Sequence, residues 1–329
     1  MSALHLTSHV GTIKNIENVF KMLNIGNKLI TQSLIDKSYY YNEKTANEIW
    51  EHYSDKLNGI SVLIFTDTSM IARPFLQNLE KHDCLIIVYV TNRFDWGIWG
   101  FRDDLYYKLY ADSSIHERVI FCADNNYDQY YAMAHNIKFA FDSIKLTPII
   151  SETVLLPSKN KFFIYNRGTK INKYEQYLKN RNIDYDLYGE GFDRFKNNQS
   201  ICEYKGFIHL PYQVNIQSLW ENLGHFIIYF IPSKKFITEL IRQDNSWYYW
   251  EEKNRPNDLL MKSITLSEWY NETNQDVFEY FESWDDLKYK IENMNDEYLL
   301  NKKHKIKNFI EKSNASNFEK WKIMLAPKM

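Results

Sequence analysis

One segment of the sequence decides the fold, because it joins two apolar strands through an amphipathic helix. Residues 210–224 read LPYQVNIQSLWENLG, and residues 227–233 read IIYFIPS. Apolar side chains recur at helical spacing in the first segment, which predicts a helix from about residue 214. Gln217, Ser218 and Glu221 share the opposite side of that helix. A strand, a helix and a strand in succession predict a parallel sheet, and such sheets bind ligands at the carboxyl ends of their strands.

The same alternation of apolar runs and amphipathic stretches extends in both directions along the chain. The runs predict strands at 3–6, 61–65, 84–90 and 118–122, then at 161–165, 185–188, 207–210, 227–231 and 277–281. Residues 70–81 are predicted to be helical, with Pro74 either in the first turn or breaking the helix. The sequence therefore predicts the α/β class, with one Rossmann-like parallel-sheet domain over residues 1–157 and a second over 158–307.

Composition and charge exclude several classes of protein. The chain has 329 residues, of which 44% are hydrophobic and 25% are charged, as in ordinary folded proteins. Its net charge of −2 argues against nucleic acid as a partner. Three separated cysteines without a CxxC spacing favour neither disulfides nor a zinc site. No apolar run approaches the ~18 residues of a membrane span, and no leader sequence is visible, so we expect a cytoplasmic protein.

The polar side of the helix after residue 214 suits a nucleotide. A helix amino terminus offers free N–H groups and the positive end of a dipole, which favour a diphosphate. A carboxylate one turn further on, here Glu221, can accept hydrogen bonds from a ribose diol. The alternative is that Glu221 belongs to a solvated helix face.

In these residues the chain resembles the carboxyl-terminal domain of GT-B-fold glycosyltransferases, particularly the retaining enzymes with nucleotide-sugar donors that large DNA viruses encode. The resemblance implies two Rossmann-like domains that face each other across a cleft. It also implies that Glu221 holds the donor ribose and that the backbone of Gln217, Ser218 and Leu219 approaches the diphosphate. Retaining enzymes often carry another glutamate eight positions before the ribose-binding one, and this chain has Gln213 there.

The function implied by this resemblance is transfer of a hexosyl or pentosyl group. The donor would be a UDP- or GDP-linked sugar bound by residues 158–307, and no metal or other cofactor is expected. The acceptor, a glycan or another hydroxyl compound, would bind residues 1–157, onto which the final helices at 308–329 would pack. Two alternatives stay open: a catalytically inactive protein that binds sugars or nucleotides, and a nucleotide-sugar epimerase.

A second candidate for donor binding follows the strand at 161–165. Arg167 and Gly168 lie in the predicted turn after that strand. In the enzymes that the chain resembles, a basic residue at this place neutralises the donor diphosphate. A guanidinium suits that task because two of its N–H groups can bond phosphate oxygens together. The alternative is an ordinary surface arginine.

The turn between the first strand and the first helix contains His9, Gly11 and Thr12. A glycine there lets a sugar or phosphate approach the backbone closely, and Thr12 is a predicted N-cap. The alternative for Gly11 is a tight turn that needs a positive φ.

The turn after the strand at 84–90 mixes Asn92, Arg93 and Asp95 with aromatic residues, a combination typical of sugar sites. Asn92 and Arg93 are candidates for binding the acceptor, and Asp95 for general base. The alternative is an Arg93–Asp95 pair that only shapes the loop. An inverting reaction would need a base, either Asp95 or His9, whereas a retaining reaction would need none.

Overall fold

The chain forms two compact units in the computed structural model, which describes residues 1–7, 9–33, 40–98, 103–165, 171–188, 198–244 and 257–328. Unit 1 comprises Met1–Thr147 and Asn314–Met329, and unit 2 comprises Pro148–Ser313. The first division falls at 147/148 rather than at 157/158, because the intervening residues bond within unit 2. The Ser151 N–H donates to the carbonyl of Gly224 (2.9 Å), and the Lys303 ammonium group donates to the carbonyl of Leu155 (2.8 Å).

The carboxyl-terminal residues return to unit 1 at position 314 rather than at 308. The Asn317 amide donates to the carbonyl of Lys145 (2.8 Å), and the Trp321 ring lies edge-on to Tyr89 at 5.7 Å. Phe309 instead stacks on Trp220 within unit 2, which explains why the change comes later than predicted.

Unit 1 is built on a parallel sheet whose central strands are buried along their whole length. In the described part of unit 1 the strands are β1 (Ala3–Thr7), β2 (Leu29–Ser33), β3 (Val62–Phe65), β4 (Leu85–Val90) and β5 (Val119–Ala123), in the order β2-β1-β3-β4-β5. The helices are α1 (Val10–Met22), α2 (Glu43–Ser54), α3 (Arg73–Gln77), α4 (Asp104–Ser113) and α5 (Asn126–Met133). Continuous apolar runs such as LIIVYV in β4 are expected where a parallel strand is covered on both faces.

Residues 70–81 do not form the single helix that the spacing predicts. They form the short 3-10 helix Ser69–Ala72, then α3, then the 3-10 helix Leu79–Lys81. Pro74 lies in the first turn of α3, where its missing N–H costs nothing, so a new helix begins there instead of the old one continuing.

Unit 2 repeats the architecture of unit 1. The strands that the structure describes there are β6 (Phe162–Tyr165), β7 (Tyr185–Tyr188), β8 (Gly206–Ile208), β9 (Tyr229–Pro232) and β10 (Glu279–Phe281), all parallel, in the order β10-β9-β8-β6-β7. The helices are α6 (Ile171–Lys179), α7 (Gln217–Gly224), α8 (Lys234–Asp244), α9 (Asn257–Leu266), α10 (Trp284–Glu292) and α11 (Asp296–Leu325), the last of which continues into unit 1. The predicted α/β class with two Rossmann-like parallel sheets is confirmed.

The two sheets have the same strand order. If the strands of each unit are numbered along the chain, both orders read 2-1-3-4-5. The order reverses between the first and third strands, which are β1 and β3 in unit 1 and β6 and β8 in unit 2. Ligands of open α/β sheets bind at the carboxyl ends of the strands at such a reversal. Among the helices of the described residues, none is both long and apolar enough to cross a membrane.

Candidate functional site

The polar segment between β8 and α7 is irregular and bends at residues 213–214. α7 begins at Gln217, not near residue 214 as the spacing predicts. The preceding carbonyls are already bound: the Trp269 indole N–H donates to Gln213 (2.7 Å), and the Glu268 N–H donates to Val214 (2.9 Å). Ile216 is the N-cap and has no side-chain oxygen, so the first turn of α7 presents N–H groups without a side-chain cap.

The predicted buried stripe of α7 is confirmed. Leu219, Trp220 and Leu223 are at most 1% exposed. The Leu219 side chain therefore packs in the core, so a ligand can meet only its backbone. Ser218 is exposed, and its carbonyl accepts a weak hydrogen bond from the Tyr229 hydroxyl (3.4 Å).

Two polar side chains of α7 lie four residues apart on one face, Gln217 and Glu221, and both are half-buried. The Gln217 Oε1 atom is buried without a hydrogen-bond partner. Within the described residues, Glu221 makes no side-chain hydrogen bond or ion pair. A buried polar atom without a partner, such as Gln217 Oε1, is a candidate for binding a ligand, because folded proteins normally satisfy buried polar atoms internally.

The charge of Glu221 acts on two neighbouring rings. Burial lowers the pKa of His225, and the Glu221 carboxylate opposes that shift. Burial also raises the pKa of Tyr229, and the same carboxylate adds to the increase. The Glu221 carboxylate thus lies near His225 and Tyr229 and forms no ion pair with a cation among the described residues.

Gln213 precedes α7 and is also half-buried. Its carbonyl is bound by Trp269, and its side chain makes no hydrogen bond to another described residue. Arg167 and Gly168 lie outside the described residues. They come after β6, the neighbour of β8 in the sheet, and their part in donor binding stays a prediction.

In unit 1 the structure brings Arg93 and Asp95 together as a buried pair. Arg93 Nε lies 2.6 Å from Asp95 Oδ1, and both side chains are 1% exposed. Asp95 Oδ2 accepts hydrogen bonds from the hydroxyls of Tyr107 (2.8 Å) and Tyr131 (2.9 Å). This geometry engages both carboxylate oxygens inside the unit, and the role of Asp95 as general base stays a prediction. It supports the alternative in which the pair shapes the loop.

Asn92 and Arg93 serve the same loop. The Asn92 side-chain oxygen accepts the N–H of Arg93 (2.9 Å), and the Arg93 guanidinium lies 5.3 Å from the centre of the Tyr131 ring. Arg93 is therefore not available at the surface to bind an acceptor. Asn92 is half-buried and retains some exposure.

The turn after β1 is more open, but its polar groups cap a helix. His9, not Thr12, is the N-cap of α1: it is exposed, and its Nδ1 accepts the N–H of Gly11 (3.1 Å). Gly11 has a helical backbone, so the turn does not need a positive φ there. Thr12 is buried, and its hydroxyl bonds the hydroxyl of Thr7 (2.7 Å) and the carbonyl of His9 (2.8 Å). Because Nδ1 accepts this hydrogen bond, the ring proton of the neutral imidazole is on Nε2, and the accepting nitrogen of His9 is the one that caps the helix.

Two residues that fix the backbone before α7, Trp269 and Glu268, are not recognisable from the sequence. Both are fully buried, and they follow α9, far from the segment that they bind. An indole next to an acidic residue after an amphipathic helix carries no motif, so only the fold reveals them.

Comparisons with known proteins find similarity to solved structures but not to a known sequence. No protein-family model matches the chain, and no curated protein matches its sequence. The crystal structure of CalG4, the calicheamicin glycosyltransferase, is similar with a TM-score of 0.44 and 7% identity, covering 99% of this chain and 98% of that chain. At this level of similarity, the function has to be argued from the residues of the chain itself.

Proposed function

We propose that the protein is a GT-B-type glycosyltransferase whose unit 2 binds a UDP- or GDP-linked sugar at the amino-terminal half of α7. The observation that carries the proposal is the half-buried Glu221 carboxylate, which has no internal partner among the described residues and lies one turn after the uncapped start of α7. Such a carboxylate suits a ribose diol, and the start of the helix suits a diphosphate.

Each donor-binding residue then has a defined task. The N–H groups of Gln217 and Ser218 stabilise the diphosphate, on which negative charge grows as the sugar departs, and the Leu219 N–H, which donates to the Ile216 carbonyl (3.1 Å), holds this turn in place. Glu221 accepts hydrogen bonds from the ribose hydroxyls. Gln213 contacts the sugar, and Arg167 supplies the cation for the diphosphate.

We further propose that the reaction retains the anomeric configuration. Both candidate bases of unit 1 are engaged: Asp95 in its buried pair, and His9 as the cap of α1. In a retaining reaction the bond between the anomeric carbon and the diphosphate oxygen breaks, and a new bond forms to the acceptor hydroxyl oxygen. The hydroxyl proton passes to the departing diphosphate, so no protein base is required.

A nucleotide-release assay tests the proposal. The protein is incubated with UDP- and GDP-linked hexoses and pentoses, with and without simple glycan acceptors, and the free nucleoside diphosphate is measured. We expect release with at least one donor and a loss of about 10- to 100-fold in kcat/KM for Glu221→Ala, the usual cost of a hydrogen bond to a charged group. Glu311→Ala is the matched control, because Glu311 is exposed on α11.

The other outcomes separate the alternatives. Donor binding without release would indicate a catalytically inactive binding protein, and an isomerised nucleotide-sugar would indicate an epimerase. An inverted anomeric configuration in the product, read by NMR, would contradict the retaining mechanism. Absence of binding to any nucleoside diphosphate would overturn the proposal.

A further inference from the structure

The backbone that leads into α7 is fixed by one tryptophan from a distant part of unit 2. Trp269 follows α9 and is completely buried. Its indole N–H donates to the carbonyl of Gln213 at 2.7 Å, and the N–H of the adjacent Glu268 donates to the carbonyl of Val214 at 2.9 Å. Two successive carbonyls are thereby removed from helical hydrogen bonding, so α7 starts only at Gln217.

Trp269 is itself held firmly by the sheet. The hydroxyl of Tyr280, in β10, donates to the carbonyl of Trp269 at 2.6 Å. The indole ring lies 4.7 Å from the ring of His209 and 5.8 Å from the ring of Tyr229. Because His209 follows β8 directly and Tyr229 begins β9, the indole is packed against the centre of the sheet.

Glu268 is fixed in a similar way. The Asn274 side-chain amide donates both to the Glu268 carbonyl and to its Oε2 atom, each at 2.8 Å. Residues 268–269 are therefore fixed relative to the sheet, and their hydrogen bonds fix residues 213–214 relative to the sheet as well.

We propose that Trp269 is a positioning residue for the nucleotide site: it sets where α7 begins, and hence where the free N–H groups and Glu221 stand. It acts through the backbone of residues 213–216 and does not touch the nucleotide. This inference rests on the proposed function for its consequence in binding, but its structural part can be measured on the free protein.

The test replaces Trp269 with Phe, which keeps an aromatic ring and removes the N–H donor. The first readout is amide hydrogen exchange of residues 216–220 in the unliganded protein. The second readout is the dissociation constant for UDP and for GDP, measured by calorimetry. We expect exchange about tenfold faster and nucleotide affinity about five- to tenfold weaker, because a hydrogen bond that orders the segment is lost.

Trp284→Phe is the matched control. Trp284 is also buried in unit 2 and stacks on Tyr177 at 5.4 Å, but its indole N–H makes no hydrogen bond to the other described residues. The same loss of volume at position 284 should leave exchange at 216–220 and nucleotide affinity unchanged.

Tyr280→Phe is a second and milder variant, in case the Trp269 variant does not fold. It removes only the hydroxyl that holds the Trp269 carbonyl. We expect a smaller change in the same direction for both readouts.

The outcomes separate this inference from the proposed function. Faster exchange and weaker affinity in the Trp269 and Tyr280 variants, but not in the Trp284 variant, support both. If exchange is faster in the two variants but the wild-type protein binds neither UDP nor GDP, the positioning role is supported and the proposed function is overturned. Unchanged exchange at 216–220 in both variants, or an equal change in Trp284→Phe, overturns the inference.

Discussion

The two units share one strand order and differ in how they treat polar side chains near the carboxyl ends of their strands. In unit 1 these side chains bond to each other. Arg93 pairs with Asp95, and the Asn125 amide donates to Asp124 (2.6 Å) and Asp128 (2.7 Å), with all five residues buried. Their hydrogen bonds are made inside the unit.

In unit 2 three polar side chains that follow the third strand, β8, are half-buried and make no hydrogen bond to another described residue. Gln213, Gln217 and Glu221 flank the start of α7 in this way. A shared topology thus does not imply a shared use. The polar groups of unit 1 stabilise a loop, and we propose that those of unit 2 bind a ligand. Breaking the first set should reduce stability, and breaking the second should reduce affinity.

The largest effect is expected when the buried pair of unit 1 is broken. Arg93→Ala leaves the Asp95 carboxylate buried without its cation, which should lower the free energy of unfolding by about 3–5 kcal/mol in urea denaturation. The double variant Arg93→Met, Asp95→Asn removes both charges and should recover most of that loss. If Arg93→Ala kept full stability but lost acceptor-dependent turnover, Arg93 would be a ligand-binding residue and the contrast between the units would fail.

A second effect concerns pH and the interior of unit 1. His5 in β1 is fully buried, and burial lowers its pKa from 6.5 to about 3. Below pH 6.5 the unfolded chain binds a proton that the folded chain does not, so stability is complete above pH 6.5 and is lost as the pH falls. His5 should contribute a loss of about 1.4 kcal/mol per pH unit in that range, or about 2–3 kcal/mol by pH 4.5.

This pH effect is measured by comparing wild type with His5→Gln. The unfolding free energy is determined at pH 7, 6 and 5 for both proteins. Burial also lowers the pKa of His82 and His225, so some dependence of the same sign should remain in the variant. Identical slopes in the two proteins would show that His5 does not titrate as its burial implies.

A third effect concerns the carboxyl-terminal end of α7, which packs closely against residues 148–149, whereas its amino-terminal end has no side-chain cap. A Cβ atom on Gly224 would overlap the carbonyl oxygen of Ile149 and lie 3.0 Å from the Cβ of Pro148. Gly224→Ala should therefore cost about 1–3 kcal/mol of stability. Gly26→Ala is the control, since its nearest neighbour would be the Lys21 Cα at 3.7 Å. Equal stabilities would mean that residues 148–149 yield easily.

The smallest effect on stability is expected at Gln217. Gln217→Leu removes the buried, unpaired Oε1 atom, so stability should change by no more than about 1 kcal/mol. Nucleotide affinity should fall several-fold if this side chain contacts the donor. Gln176→Leu, at an exposed position of α6, is the control. A drop in stability without a drop in affinity would assign Gln217 a structural role and weaken the comparison between the units.

Much of the fold could be predicted because buried parallel strands are written as continuous apolar runs. The stripe of α7 was equally clear, since its spacing is helical and its apolar members are large. Strand β2, which reads LITQS, escaped prediction because three of its five residues are polar and it lies beside only β1 in the sheet.

The candidate site could be predicted only in part, because its geometry depends on distant residues. The start of α7 is set by Trp269, which lies 56 positions after the carbonyl that it binds. The engagement of Asp95 depends on Tyr107 in α4 and Tyr131 in α5, which lie 12 and 36 positions away. A local sequence pattern records which residues are polar, but not whether the fold will pair them internally or leave them for a ligand.

The most direct test removes, singly and together, the two groups of the proposed contact: the Glu221 carboxylate and the ribose 2′-hydroxyl. Calorimetry would compare the ribonucleoside diphosphate that binds best with its 2′-deoxy analogue, in wild type and in Glu221→Ala. We predict that wild type binds the deoxy analogue about tenfold more weakly and that Glu221→Ala binds the two equally, because the hydroxyl then has no carboxylate to meet. The same preference for the ribonucleotide in both proteins would contradict the account, since Glu221 would then not hold the ribose.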